Sequence, residues 1–338
     1  MIGLAFVSLG SAACAARRTP AEDFASPDAA ALRSNPELGS ALDRMRGAFE
    51  LGDEDRARAE LDSARGLDPE HRWDVYFGRF EAVLNGRALA RSLDRSSRIE
   101  SVRDQATLGD PIHVRMVLVN DGVPGKVGKL EIPKETGGGI FSSSPKSITR
   151  LIASIATKEY GAYGDERERI DTLPVALREN VVIPEGGTFQ MEFAFEDYPE
   201  GGVVARVFEI GAEIVPATVV FAGSPVFLTK IRCASCSVVA LPSGYEAFAT
   251  KPVESLASLL EKSGGASDRS ILPCAMLVAR ESRDEATLLL AKKLVGAQPQ
   301  RALAIIVALR YLTGDRERGL DRASWIGFAA KLLDSQAR

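Results

Sequence analysis

Val181 to Phe195 reads VVIPEGGTFQMEFAF, and this stretch decides how the middle of the chain folds. In its second half Phe189, Met191, Phe193 and Phe195 alternate with Gln190, Glu192 and Ala194. That period of two is expected of a strand dry on one face and wet on the other. Pro184-Glu185-Gly186-Gly187 separates it from the apolar run Val181 to Ile183, a hairpin signal. Working outward, Ile112 to Val119 is strongly β-branched, follows Gly109-Asp110-Pro111 and ends at the turn Asn120-Asp121-Gly122. Ser147 to Lys158 fits a strand or, through Ile148, Leu151, Ile152 and Ile155, a helix; its neighbours favour strand. Arg206 to Val215 and Thr218 to Phe221 read as strands, and Ala222-Gly223-Ser224-Pro225 turns into another at Val226 to Ile231.

Seven or more short strands with turn residues between them suggest an antiparallel immunoglobulin-like β-sandwich over residues 94–248. It resembles accessory sandwich modules of exported bacterial proteins. Helical periods flank it on both sides. Leu38, Leu42, Met45 and Phe49 predict one helix stopping at Gly52, and Ala57, Leu61 and Ala64 a second ending near Leu67-Asp68-Pro69. Gly52, Ala57, Leu61, Ala64 and Pro69 resemble a single tetratricopeptide repeat, in which small alanines let two helices approach closely. A third helix, near 71–93, carries Trp73, Tyr76, Phe77 and Phe80 at helical spacing, a packing face or an interaction surface. A lone hairpin is not expected to cover that aromatic stripe by itself. After Leu241-Pro242-Ser243-Gly244-Tyr245 the helical period returns over 253–261, 270–279, 284–295, 298–312 and 321–333. These paired helices resemble short HEAT-like repeats, a resemblance that implies protein contact. The expected fold is therefore multidomain α and β. A helical hairpin unit (36–93) precedes the sandwich (94–248), and a HEAT-like α domain (249–338) follows it.

Composition bounds the chemistry. The chain has 338 residues with 42 Lys+Arg, 46 Asp+Glu and a net charge of -4, so nothing in its charge asks for nucleic acid. Two histidines, His71 and His113, cannot make a multi-histidine metal site. No apolar run reaches the roughly 18 residues of a membrane-spanning helix. Ile2 to Leu9 followed by Gly10, Ser11, Ala12 and Ala13 looks like the apolar core and cleavage region of a secretory signal. Ser11-Ala12-Ala13-Cys14 also resembles a bacterial lipoprotein processing box, which implies that Cys14 becomes the lipidated residue. Residues 1–14 then form a leader and 15–35 a tether, with export to the periplasm or envelope expected and a cytoplasmic location the alternative.

Candidate sites are few. Cys233-Ala234-Ser235-Cys236 can be a redox pair or half a zinc site, with Cys274 the remaining candidate thiolate. Residues three apart in a regular strand lie about 10 Å from each other, beyond the ~4.4–6.8 Å a disulfide spans. A disulfide among the three, reduced packing thiols and a metal all stay open. Ser143-Ser144-Pro145-Lys146 matches a bare SxxK pattern, but the Ser-Asp-Asn and Lys-Thr-Gly elements that accompany it in serine acylases are absent. The charged run Asp165 to Asp171 and the acidic stretch Glu196 to Gly202 read as solvated loops. No cofactor is called for. The expected function is a non-catalytic envelope protein that binds another protein or a surface polymer. The alternative is a carbohydrate-recognising module or a hydrolase with no recognisable motif. Convergent carboxylates or a tyrosine platform in an exposed cleft would favour that alternative.

Overall fold

The computed structural model describes residues 35–123, 125–136, 147–262 and 264–336. It is a mixed α and β structure that divides into two compact units. The first comprises the N-terminal helices to Leu89 together with Ser224–Leu228, and the second the remainder. The strand-rich region and the C-terminal helices thus share one unit.

In the first unit, α1 (Pro36–Glu50) starts where Asn35 accepts the Leu38 N–H, with proline at the first helical turn. Asp53 caps α2 (Glu54–Gly66) in the same way through the Arg56 N–H. Helix α3 (Asp74–Ser96) lays Phe77 and Phe80, both essentially unexposed, against Leu42, Met45, Phe49, Ala57, Leu61 and Ala64. Phe49 and Phe80 meet with ring centroids 5.2 Å apart. The expectation was that a lone hairpin would not cover the aromatic stripe, and the helices of this unit bury Phe77 and Phe80 within it. The alanines of α2 bring the helices close enough for the unit's own core to bury its middle, and Trp73 and Tyr76 pack partly buried at the end. Gly86 is required on α3, because a Cβ there would lie 1.9 Å from the Phe227 carbonyl oxygen.

The strands of the second unit follow in order. β1 is Arg98–Ser101, β2 Gln105–Thr107, β3 Ile112–Val119, β4 Leu130–Ile132, β5 Glu135–Thr136, β6 Ser147–Ile148 and β7 Arg150–Gly161. β8 is Glu166–Val175, β9 Val181–Ile183, β10 Thr188–Phe195, β11 Val203–Val215 and β12 Val219–Phe221. β13 (Ser224–Val226) lies in the segment that belongs to the first unit, and β14 is Ile231–Leu241. Among the described residues the main sheet has eight strands in the order β10-β3-β1-β14-β11-β7-β8, with β2 also on β14. β1 and β2 run parallel to β14, and the other pairs are antiparallel. A smaller sheet runs β12-β4-β9, and β5 and β6 form a two-stranded ribbon.

Three readings of the sequence change here. Val181–Ile183 and Thr188–Phe195 are strands, but they do not form a hairpin. β9 pairs with β4 and β10 with β3, so the Pro184–Gly187 turn carries the chain from one sheet to the other. Asn120 holds that turn: its side-chain amide donates to the carbonyls of Gly128, Ile183 and Pro184 at 2.8–3.2 Å, and its backbone carbonyl accepts the Gly186 N–H. Asp165 to Asp171 is not a loop, since all but its first residue lies in β8. Its interleaved charges are satisfied within the fold, Lys158 reaching Glu166 and Glu168 at 3.2 Å each and Arg169 reaching Asp171 at 2.8 Å. The strand expected at 226–231 is instead β14, which begins at Ile231. Ser147 to Lys158 is extended, as its neighbours suggested.

The C-terminal helices are α4 (Glu246–Ala249), α5 (Pro252–Glu261), α6 (Gly265–Met276), α7 (Arg283–Leu294), α8 (Pro299–Thr313) and α9 (Arg322–Gln336). Helix α8 is the most buried of them, with Ile305, Ile306, Val307 and Leu309 essentially unexposed. Arg301 on α8 donates to the carbonyls of Leu259, Leu260 and Lys262, capping the end of α5, and pairs with Asp268 at 2.9 Å. Trp325 is fully buried and its indole N–H donates to Gly319 O at 3.1 Å. Leu272, Met276 and Val307 pack on Tyr160, Ala205 and Leu241, so helices and sheet share a core. Among the described residues no helix is long and apolar enough to cross a membrane.

Candidate functional site

The site grows from a break in one edge of β14. β1 pairs with β3 as far as Ser101↔Val114, and the Val102 N–H still donates to His113 O at 3.2 Å. Beyond that point the two strands part. Ser101 and Asp104 form a local hydrogen bond of 3.0 Å, and the chain re-enters as β2 alongside Val239 to Leu241. β3 meanwhile continues its pairing with β10, Ile112 lying opposite Phe195. The split leaves a cleft of about 500 Å³. Ile112, Val238 and Leu241, all buried, line it beneath a polar rim of Arg103, Gln105, Asp110, His113 and Glu246.

The backbone of β2 faces this cleft. Val239 N–H donates to Asp104 O and Leu108 N–H to Leu241 O, so the even-numbered residues address β14. In a parallel ladder the alternate residues then turn the other way, which directs the main-chain groups of Gln105 and Thr107 outward. Asp110 N–H takes the Thr107 carbonyl at 3.1 Å. Among the described residues no strand pairs with this edge of β2. Tyr245 stands at the end of the cleft, its ring 5.3 Å from that of Phe248. Burial pushes its hydroxyl above the ordinary tyrosine range, and the hydrogen bond with Ser270 works the other way.

A buried charge cluster holds one wall. Arg206, fully buried, pairs with Glu159 directly opposite it on β7 and with Asp197 from the loop after β10, and donates to Tyr198 O at 2.8 Å. The second oxygen of Asp197 accepts the Gly109 N–H at 2.9 Å, anchoring the 107–111 turn that borders the cleft. The stretch Glu196 to Gly202 is a loop, yet it carries one of the most buried carboxylates of the chain. Sequence reading missed this cluster although the signal was present. Phe208, Ile210, Ala212 and Ile214 form the buried row of β11, and position 206 is in phase with them.

The residues singled out from sequence lie elsewhere. Trp73, Tyr76, Phe77 and Phe80 serve the core of the first unit. Cys233 and Cys236 are on β14 and Cys274 on α6, and all three are free thiols. Between the first two, Ala234 and Ser235 stand opposite the single residue Gly211, a β-bulge that switches which side chains of β14 face inward. Burial pushes the Cys233 and Cys274 thiols up to about 12 and raises Cys236 as well. No group of three or more candidate metal ligands comes together among the described residues. His113 reaches the cleft rim, whereas Cys14, Ser143 and Lys146 lie outside the described residues.

No protein-family model matches the chain, and no curated protein matches it. Solved structures give slight likenesses. The sporulation control protein Spo0M of Bacillus subtilis is 13% identical over 49% of this chain and 54% of its own, with a TM-score of 0.21. A Paenibacillus cycloisomaltooligosaccharide glucanotransferase is 11% identical over 48% of this chain and 18% of its own, with a TM-score of 0.19. The alkylpurine DNA glycosylase AlkC of Pseudomonas fluorescens is 13% identical over 61% and 54%, with a TM-score of 0.17. The chain thus spans about half or less of each of these proteins. At such TM-scores none of them bears on fold or activity.

Proposed function

We propose that this protein is a non-catalytic binding module that takes an extended segment of another protein into the cleft between β2 and β3. The observation that carries the reading is the one-sided pairing of β2 beside an apolar floor. An incoming strand would hydrogen-bond to the outward N–H and C=O of Gln105 and the N–H of Thr107 and seat a side chain over Ile112, Val238 and Leu241, with the rim charges selecting polar neighbours. The finer fold belongs to the same proposal. Two sheets built mainly of antiparallel pairs support an immunoglobulin-like sandwich, and antiparallel packing of successive C-terminal helices would be HEAT-like. Export, with Cys14 as the lipidated residue, rests on Ile2–Leu9 and Ser11-Ala12-Ala13-Cys14.

Asp110, Glu246 and Tyr245 favour a second reading, in which the same cleft holds a carbohydrate. One experiment separates the two. The full chain is panned against a displayed peptide library and, in parallel, a glycan array. Gln105→Pro removes an outward N–H without touching the β14 ladder, so it should abolish peptide binding while Gln105→Ala retains it. Peptide binding unaffected by Gln105→Pro would overturn the strand-addition reading. Glycan binding lost in Tyr245→Ala would replace it with the second.

A further inference from the structure

The main sheet ends on one side at β10, which among the described residues pairs only with β3. The direction of its free groups follows from the ladder. His113 O is turned to Val102, and Asn120 N–H donates to Gly187 O at 3.0 Å, so the even residues of β3 and the odd residues of β10 hydrogen-bond each other. Thr188, Gln190, Glu192 and Ala194 therefore direct their N–H and C=O groups to the open edge. The side chains alternate differently. Phe189, Met191 and Phe193 lie opposite Leu118, Met116 and Val114, which are fully buried, yet the three on β10 keep part of their surface exposed. On the wet face Glu192 is held by Arg115 at 2.6 Å.

We propose that a second copy of this chain pairs along β10, antiparallel, about a two-fold axis at Met191. An axis perpendicular to the sheet keeps each face on its own side, so like faces meet. On the dry face Met191 meets Met191 and Phe189 meets Phe193, continuing the buried row of β3 across the axis. On the wet face Thr188 meets Ala194 and Gln190 meets Glu192. The Gln190 amide can then donate to a carboxylate already paired with Arg115, and no like charges oppose each other. The outward-facing residues form the hydrogen-bonded pairs, leaving Met191 at the close, non-hydrogen-bonded position on the axis. A shift of the axis to Glu192 would set two glutamates face to face, which disfavours that register. This interface is separate from the cleft and does not depend on what the cleft binds.

Sedimentation velocity of the full chain over a concentration series tests it. The chain should dimerise reversibly. Gln190→Glu should weaken the dimer roughly tenfold, because the like-charge contact occurs twice per dimer. Gln190→Lys, facing the same Glu192, should leave it as tight or tighter. Gln190 is exposed, so neither change threatens the fold. Met191→Cys should form a covalent dimer under mild oxidation and Thr188→Cys should not. A chain that stays monomeric throughout would overturn the proposal. So would a dimer indifferent to the charge at 190, or equal cross-linking at both positions.

Discussion

The two edges of the main sheet solve one physical problem in opposite ways. β8 carries Glu166, Arg167, Glu168, Arg169, Asp171 and Pro174, so both its faces are wet and proline interrupts its hydrogen-bonding potential. Its charges are already engaged, Arg310 reaching Glu166 at 3.0 Å and Lys158 reaching both glutamates. An added strand would gain little apolar burial there and would have to fit around ion pairs. β10 has no proline, one charged side chain and a half-covered apolar row. An open edge becomes an interface only where a second strand has something to bury.

The Arg206 cluster lies between these edges and, through Asp197, is tied to the β10 side. Arg206→Met leaves Glu159 and Asp197 buried without their cation, a loss of about 3–5 kcal/mol readable as a lower denaturation midpoint. Because Asp197 anchors the segment after β10 and the 107–111 turn, hydrogen exchange should rise at 105–111 and 188–199 more than at 166–175. Adding Asp197→Asn and Glu159→Gln should recover part of the stability. Uniform exchange across both edges would show that the cluster favours neither.

Gly86→Ala probes the first unit and serves as the control. The new methyl meets the Phe227 backbone and should cost about 1–3 kcal/mol, with exchange at β8 and β10 unchanged. Removing the guard on β8 is a smaller perturbation in energy. Replacing Arg167, Glu168 and Arg169 with threonine should alter stability by no more than ~1 kcal/mol. It should nevertheless create a second self-associating edge around Ile170, visible as species larger than a dimer in light scattering.

The smallest effect concerns β14, in the middle of the sheet. Iodoacetamide mapping at neutral pH should label Cys236 before Cys233 or Cys274, whose thiols burial holds near 12. A thiol raised in the folded state binds its proton where the unfolded one has lost it, so its contribution is intact below about pH 8.5. It is lost as pH rises toward the folded value. Alkaline titration monitored by circular dichroism should show that decline, and substituting Cys233 and Cys274 with alanine should reduce it.

How much of this was legible in the sequence varies by element, for physical reasons. Helix positions followed from apolar spacing such as Leu38, Leu42, Met45 and Phe49 and from stops such as Gly52 and Pro69, because helices are specified locally. The alternation in Thr188–Phe195 gave the strand and its dry face. It could not give the partner, because pairing is non-local and Asn120, far upstream, decides where the Gly186–Gly187 turn points. β8 looked like a loop because its charges hide a pattern that only Lys158, Arg310 and their neighbours explain. The cleft was the least legible feature. Its walls come from the divergence of β2 and β3 and from Asp197 reaching Gly109, contacts that no local motif records.

The proposed interface requires β10 to be the edge that accepts a strand. Hydrogen exchange of the full chain at low and high protein concentration tests this most directly. The predicted result is a concentration-dependent gain of protection confined to 188–195, strongest at Gln190 and Glu192, with 166–175 unchanged. A gain at 166–175, or none at either edge, would contradict it.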